Sequence, residues 1–183
     1  MQDTAVARLR PKLVVLLIGV NNLNLCGETP EQVFAGIQAV VGRLRAQYHP
    51  KEADLIGPHF TLVFGDKVDR EAELRTVLDG IHRRPFWFMI DRIARRDLYL
   101  FAEPTDGAVE LTELYEALNS APSREPFEPH ITLGLFSTAL DAEQVARIVE
   151  RQHLPIRGRV EELALLRRDG DLLETLATVP LSQ

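Results

Sequence analysis

A chain of 183 residues has room for one domain, or for two small lobes sharing a core, and 45% hydrophobic with 26% charged residues is ordinary for a soluble globular protein. The formal net charge of −6, from 27 acidic and 21 basic side chains, argues against a long nucleic-acid track but leaves room for a small phosphate-bearing substrate held by a few local cations. The single cysteine, Cys26, excludes an intramolecular disulfide and a cysteine-based zinc cluster, and reads as an idle thiol.

Along the chain, Arg8, Arg10 and Lys12 precede the apolar run Leu13–Val20, which superficially resembles a signal peptide. The run is short, and Leu25 before Cys26 is the wrong residue for a lipoprotein cleavage site. A first strand, apolar on both faces, is therefore expected over 11–20. No stretch is long enough to cross a bilayer, so a cytoplasmic protein is expected. After a loop, Thr29 caps a helix with Pro30 at its first position and Glu31 in its first turn. That helix runs to about Tyr48, with Val33, Ile37, Val40, Val41 and Leu44 on one side, and His49-Pro50 ends it.

A strand from His59 to Phe64 comes next, followed by a helix over about 69–81 with Leu74, Val77, Leu78 and Ile81 as its apolar stripe. Residues 85–104 read as two strands or one hairpin, rich in aromatic and branched side chains. A helix over about 106–120 turns Val109, Leu111, Leu114 and Leu118 inward. The next strand spans about His130 to Phe136, and Asp141 caps a helix to about Arg151. Residues 159–181 close as a hairpin with Asp169-Gly170 in the turn. Strands and helices alternate without a low-complexity linker, so the class is α/β or α+β.

Two of these strands share a pattern. "PHFTL" (Pro58–Leu62) and "PHITL" (Pro129–Leu133) lie about seventy residues apart. Alternation sends His59, Thr61 and Val63 to one face and Phe60, Leu62 and Phe64 to the other. His130, Thr132 and Gly134 likewise oppose Ile131, Leu133 and Leu135. Each strand therefore has an apolar side to press on helices and a side that begins with imidazole and hydroxyl, followed by modest residues that leave room for a ligand. A lone His-x-Thr is usually a chance pattern; the repeat of the whole pentapeptide is the signal.

The pair resembles the His-x-Thr motifs of the 2H phosphoesterase superfamily, closest to its bacterial 2′-5′ RNA ligase-like and cyclic nucleotide phosphodiesterase branch. The apolar first strand, the helix before the first motif and the closing hairpin fit as well, so the likeness covers nearly the whole chain. It implies an α+β fold over residues 1–183, in two pseudo-symmetric lobes. Each lobe is an antiparallel sheet with helices on its outer face, and together they form a central cleft holding the two motif strands. It also implies His59, Thr61, His130 and Thr132 as the catalytic set. Members often carry a basic residue just after the second motif, where this chain reads Gly134-Leu135-Phe136.

The residue types suit the implied chemistry. Opening a 2′,3′-cyclic phosphate, or transferring a 2′-5′ linkage, needs one group to take a proton from the attacking oxygen and another to give one to the leaving oxygen. An imidazole titrates near 6.5, so a neutral and a protonated ring can coexist near neutrality. The stiff β-branched threonines can donate to the non-bridging oxygens as charge grows there. Neither motif supplies a third His or a carboxylate in register, so no metal and no other cofactor is expected. Which histidine is acid and which is base is open at this stage.

The implied partner is a nucleotide or an RNA terminus with a cyclic phosphate or a 2′-5′ linkage. No protein partner and no membrane is implied, and nothing demands more than a monomer. Trp87 and Tyr99 are candidates to stack a base, set against core packing. Arg92 and Arg95, from a local cluster with Arg83, Arg84 and Arg96, are candidates to steer phosphate, set against solvated loop charge. His49, His82 and His153 read as capping or surface residues. The alternative reading is a binding module that keeps the cleft with negligible turnover.

Overall fold

A computed structural model describes residues 12–18, 38–67, 70–119 and 126–182. The strands are β1 (Lys12–Ile18), β2 (Phe60–Lys67), β3 (Phe86–Arg96), β4 (Tyr99–Asp106), β5 (Ile131–Leu135), β6 (Ile156–Val160), β7 (Glu162–Asp169) and β8 (Leu172–Pro180). The helices are α1 (Arg43–Tyr48), entered from a π-helical turn at Gln38–Gly42, then α2 (Pro50–Leu55), α3 (Glu71–Asp79), α4 (Ala108–Leu118) and α5 (Ala139–Gln152). The protein is α+β, as the resemblance implies.

The strands form two four-stranded sheets, in the orders β2-β1-β7-β8 and β5-β4-β3-β6, antiparallel throughout. Among the described residues both motif strands, β2 and β5, are edges. Helices α4 and α5 pack on the apolar sides: α4 touches β2 and β4, and α5 lies on β3 and β4. The sheets share one core, in which Phe60 of β2 meets Phe88 of β3 edge to face with centroids 5.1 Å apart.

Local chemistry explains most boundaries. The β3–β4 hairpin turns through Asp97 and Leu98, and Asp97 takes a positive φ of 52° that short polar side chains tolerate. At α5 the cap is Thr138, not Asp141: Thr138 Oγ1 accepts the Asp141 N–H at 3.1 Å and donates to the Asp141 carboxylate at 2.7 Å. The closing turn is Gly170-Asp171, one residue later than read from sequence, because Gly170 adopts the positive φ of 61° that the turn requires.

Other departures are instructive. Val109 is 68% exposed rather than inward, because it stands two positions, about 200° of helical turn, from buried Leu111 and so faces away from the core side of α4. Pro50 does end α1, but it also opens α2, since a proline is tolerated at a first helical position. Strand β6 was not expected at all. Of the first expected helix, Thr29, Pro30, Glu31, Val33 and Ile37 lie outside the described residues. So do Arg8, Arg10 and Cys26, and the side chains of β1 and of Phe64. No helix among the described residues is long and apolar enough to cross a membrane.

Candidate active site

His59 and His130 each stand one residue ahead of an edge strand, in turns built alike. His59 Nδ1 lies 2.7 Å from the carbonyl of Gly57, and His130 Nδ1 lies 2.8 Å from that of Glu128. A carbonyl only accepts, so both rings carry hydrogen on Nδ1 and leave Nε2 to act as base when neutral or acid when protonated. A proline separates histidine and carbonyl in both cases, Pro58 and Pro129. Its fixed φ presets the turn and its missing N–H leaves no competing donor.

Beyond the histidines the expected alternation holds for two residues. Phe60, Leu62, Ile131 and Leu133 are buried, while Thr61 and Thr132 are half-buried on the histidine side. Further on, that side does not stay open. Val63 is buried, and the space beside Gly134 is occupied: a Cβ there would stand 2.7 Å from Tyr48 Cβ and 3.0 Å from the Phe136 ring. Tyr48 and Phe136 pack on one another at 4.9 Å, so α1 closes this end of the polar face. Leu135, expected on the apolar side, is 43% exposed at the end of β5.

The two motifs belong to different sheets, and the structure links them. Arg45 of α1, 2% exposed, donates from Nη1 to the Thr132 carbonyl at 2.7 Å and from Nη2 to the Ile56 carbonyl at 3.1 Å. Charge on His130 also opposes charge on His59. Burial pushes His59 down to about 4, with further lowering from Arg45 and His130 against the Gly57 carbonyl and Glu52. The ring keeps some contact with solvent but is densely surrounded. His130 is also lowered, chiefly by burial and then by Arg96, while the Glu128 carbonyl and the carboxylates of Glu103 and Glu128 pull it back up.

The second sheet extends the site. Registers Arg92↔Glu103, Ala94↔Phe101 and Arg96↔Tyr99, with Phe101↔Thr132 on the neighbouring pair, put these side chains on the face that carries Thr132. Phe101 lies 4.3 Å from the His130 ring, centroid to centroid, and stacks parallel to Tyr99 at 5.8 Å. Glu103, 5% exposed, is held by Arg92 and by Arg96, which also pairs with Glu128 and reaches over Phe101.

Of the expected binding residues, Tyr99 and Arg92 thus share a face with the second motif. Trp87, 45% exposed, lies farther along the same face under Arg159, whose guanidinium is 5.5 Å from its ring. Arg95 is not brought in. It points to the opposite side of β3, where Glu143 at 2.7 Å and Glu150 at 3.2 Å on α5 hold it. His49 and His153 close helices and His82 is exposed. Among the described residues no group of three or more His, Cys, Asp or Glu side chains could hold a metal ion.

Sequence reasoning missed Arg45, Glu103, Phe101 and the role of the prolines. Arg45 did leave a signal, since it falls with Val41, Leu44 and Tyr48 at the spacing of an apolar helical stripe.

Comparisons with known proteins come to the same fold. The family model described as the 2′-5′ RNA ligase superfamily matches residues 31–172. No curated protein matches the sequence. Among solved structures, E. coli LigT complexed with 3′-AMP is 21% identical with a TM-score of 0.59, over 95% of this chain and 100% of that one. A structure described as a phosphoesterase is 20% identical with a TM-score of 0.59, over 95% and 99%. E. coli LigT complexed with ATP is 21% identical with a TM-score of 0.58, over 95% and 100%.

Proposed function

The chain belongs to the 2′-5′ RNA ligase superfamily, and from that premise we propose that it is a metal-independent phosphoesterase. It hydrolyses or transfers 2′,3′-cyclic phosphate or 2′-5′ phosphodiester linkages on a nucleotide or RNA end, as a single two-lobed domain in the cytoplasm. The observation that carries this reading is the duplicated turn, which frees Nε2 on two imidazoles, each with a threonine two residues along the same face.

In this scheme His59, neutral at pH 7 because its pKa lies near 4, takes the proton from an attacking water. The new P–O bond forms in line with the departing ribose oxygen. The bond from phosphorus to that ribose oxygen breaks as His130, in its protonated form, delivers a proton to the oxygen from Nε2. His130 is given the acid role because two carboxylates, Glu103 and Glu128, favour its charged form against the lowering by burial and Arg96. The Thr61 and Thr132 hydroxyls donate to the non-bridging oxygens. Tyr99 offers a surface for a base, Arg92 a cation for phosphate, and Trp87 a second aromatic farther out.

A panel of 2′,3′-cyclic nucleotides and 2′-5′ dinucleotides assayed with EDTA present tests the proposal. Turnover that survives the chelator is the expected result. Binding without turnover on every member assigns the fold to recognition alone, and loss of turnover with EDTA removes the metal-independent scheme.

A further inference from the structure

Arg45 is a full cation inside the core, and among the described residues no carboxylate hydrogen-bonds it. Glu52, which favours its charge through space, is itself held by Arg168 at 2.6 and 2.9 Å. Removing a guanidinium from water costs several kcal/mol unless its donors are well placed. Here two donors are satisfied by carbonyls and Nε is buried without a partner. A leucine or methionine would continue the stripe of Val41, Leu44 and Tyr48 at lower cost, so core packing alone does not account for this residue.

What the guanidinium joins does account for it. Thr132 belongs to the second motif, and Ile56 lies just ahead of the Gly57-Pro58-His59 turn. Strands β2 and β5 are edges of separate sheets, so among the described residues no backbone ladder sets their separation. A planar fork with two parallel donors fixes a distance and an angle between two carbonyls, which an ammonium or a thioether does not. We propose that Arg45 is the positioning residue of the site, a buried clamp that ties one motif to the approach of the other and sets the gap between His59 and His130.

The same cation faces His59, together with Glu52 from α2 and His130 from the lead-in to β5. Its removal favours protonated His59. That effect separates the clamp from a merely structural arginine.

The inference rests on the two-histidine reading, and its test keeps the two apart. Arg45→Met and Arg45→Lys are compared with the parent by thermal melting, by the pH dependence of kcat/KM on a 2′,3′-cyclic nucleotide, and by NMR titration of the imidazole Cε1–H signals. Folded Arg45→Met is expected to lose about 100-fold in kcat, the scale of a slight misplacement of reacting groups. Its acid limb, and the His59 titration itself, should move toward neutral pH. Arg45→Lys, which keeps the charge but not the fork, should lose kcat with the His59 titration near its parent position.

A folded Arg45→Met with parental kcat and an unmoved His59 titration overturns the clamp. If the methionine variant does not fold, the lysine variant decides by its kcat. If the parent turns over no cyclic phosphate, the proposed function fails while the NMR titration still judges the clamp: an unmoved His59 in either folded variant lacking the cation overturns it, with Arg45→Gln taking the place of an unfolded Arg45→Met.

Discussion

The turns Gly57-Pro58-His59 and Glu128-Pro129-His130 present their imidazoles in the same way, but into different electrostatic company. His59 sits beside a buried cation, and burial with that cation drives it to about 4. His130 rests against the Phe101 ring, with Arg96 opposing its charge and Glu103 and Glu128 supporting it. One motif, used twice, is pushed toward its neutral form by burial in both places, and the difference lies in the charged neighbours: Arg45 and Glu52 at His59, Arg96 with Glu103 and Glu128 at His130. The backbone supplies the geometry, and the surrounding side chains assign the chemistry.

The largest test of that comparison removes each ring. His59→Ala and His130→Ala should each lose about 10²–10⁴-fold in kcat, the usual scale of a general acid or base. Initial rates on a cyclic nucleotide measure it, and a parental rate in either variant removes that residue from the scheme. The threonines should matter less and more evenly. Thr61→Val and Thr132→Val keep the branched shape and delete the hydroxyl, for about 100-fold in kcat with little change in KM. An effect on KM alone makes them ground-state contacts.

The smallest effect is the most diagnostic. His59 must be neutral to act as base, so kcat/KM should fall as pH drops below about 4. His130 must be protonated to act as acid, so kcat/KM should also fall as pH rises through its pKa. Because that pKa is lowered from 6.5, the optimum lies on the acid side of neutrality. Glu103→Gln deletes a charge that favours protonated His130. It should carry the alkaline limb to still lower pH and leave the acid limb in place. A shift of both limbs together would mean that the two rings do not have separate roles.

Much of this was readable from the chain because the signals are local. Period-two alternation and flanking prolines placed both motif strands, and apolar stripes placed α3 and α4. What escaped was decided at a distance. An arginine in a helix reads as solvated until carbonyls 11 and 87 positions away are known to receive it. Arg95 was grouped with Arg92 because they are close in sequence. The register shift between Ile90 and Arg92 puts Arg92 and Arg96 on the open face and sends Arg95 toward α5. Strand β6, with Arg157 exposed and Gly158 inside, shows too little apolar character to announce itself.

The placement of β2 and β5 at sheet edges has a consequence of its own. Among the described residues each is laddered on one flank only, so how the two strands stand to one another is governed by side chains such as Arg45 and not by strand pairing. Exchanges along α1 can therefore shift one motif against the other without any strand slipping register.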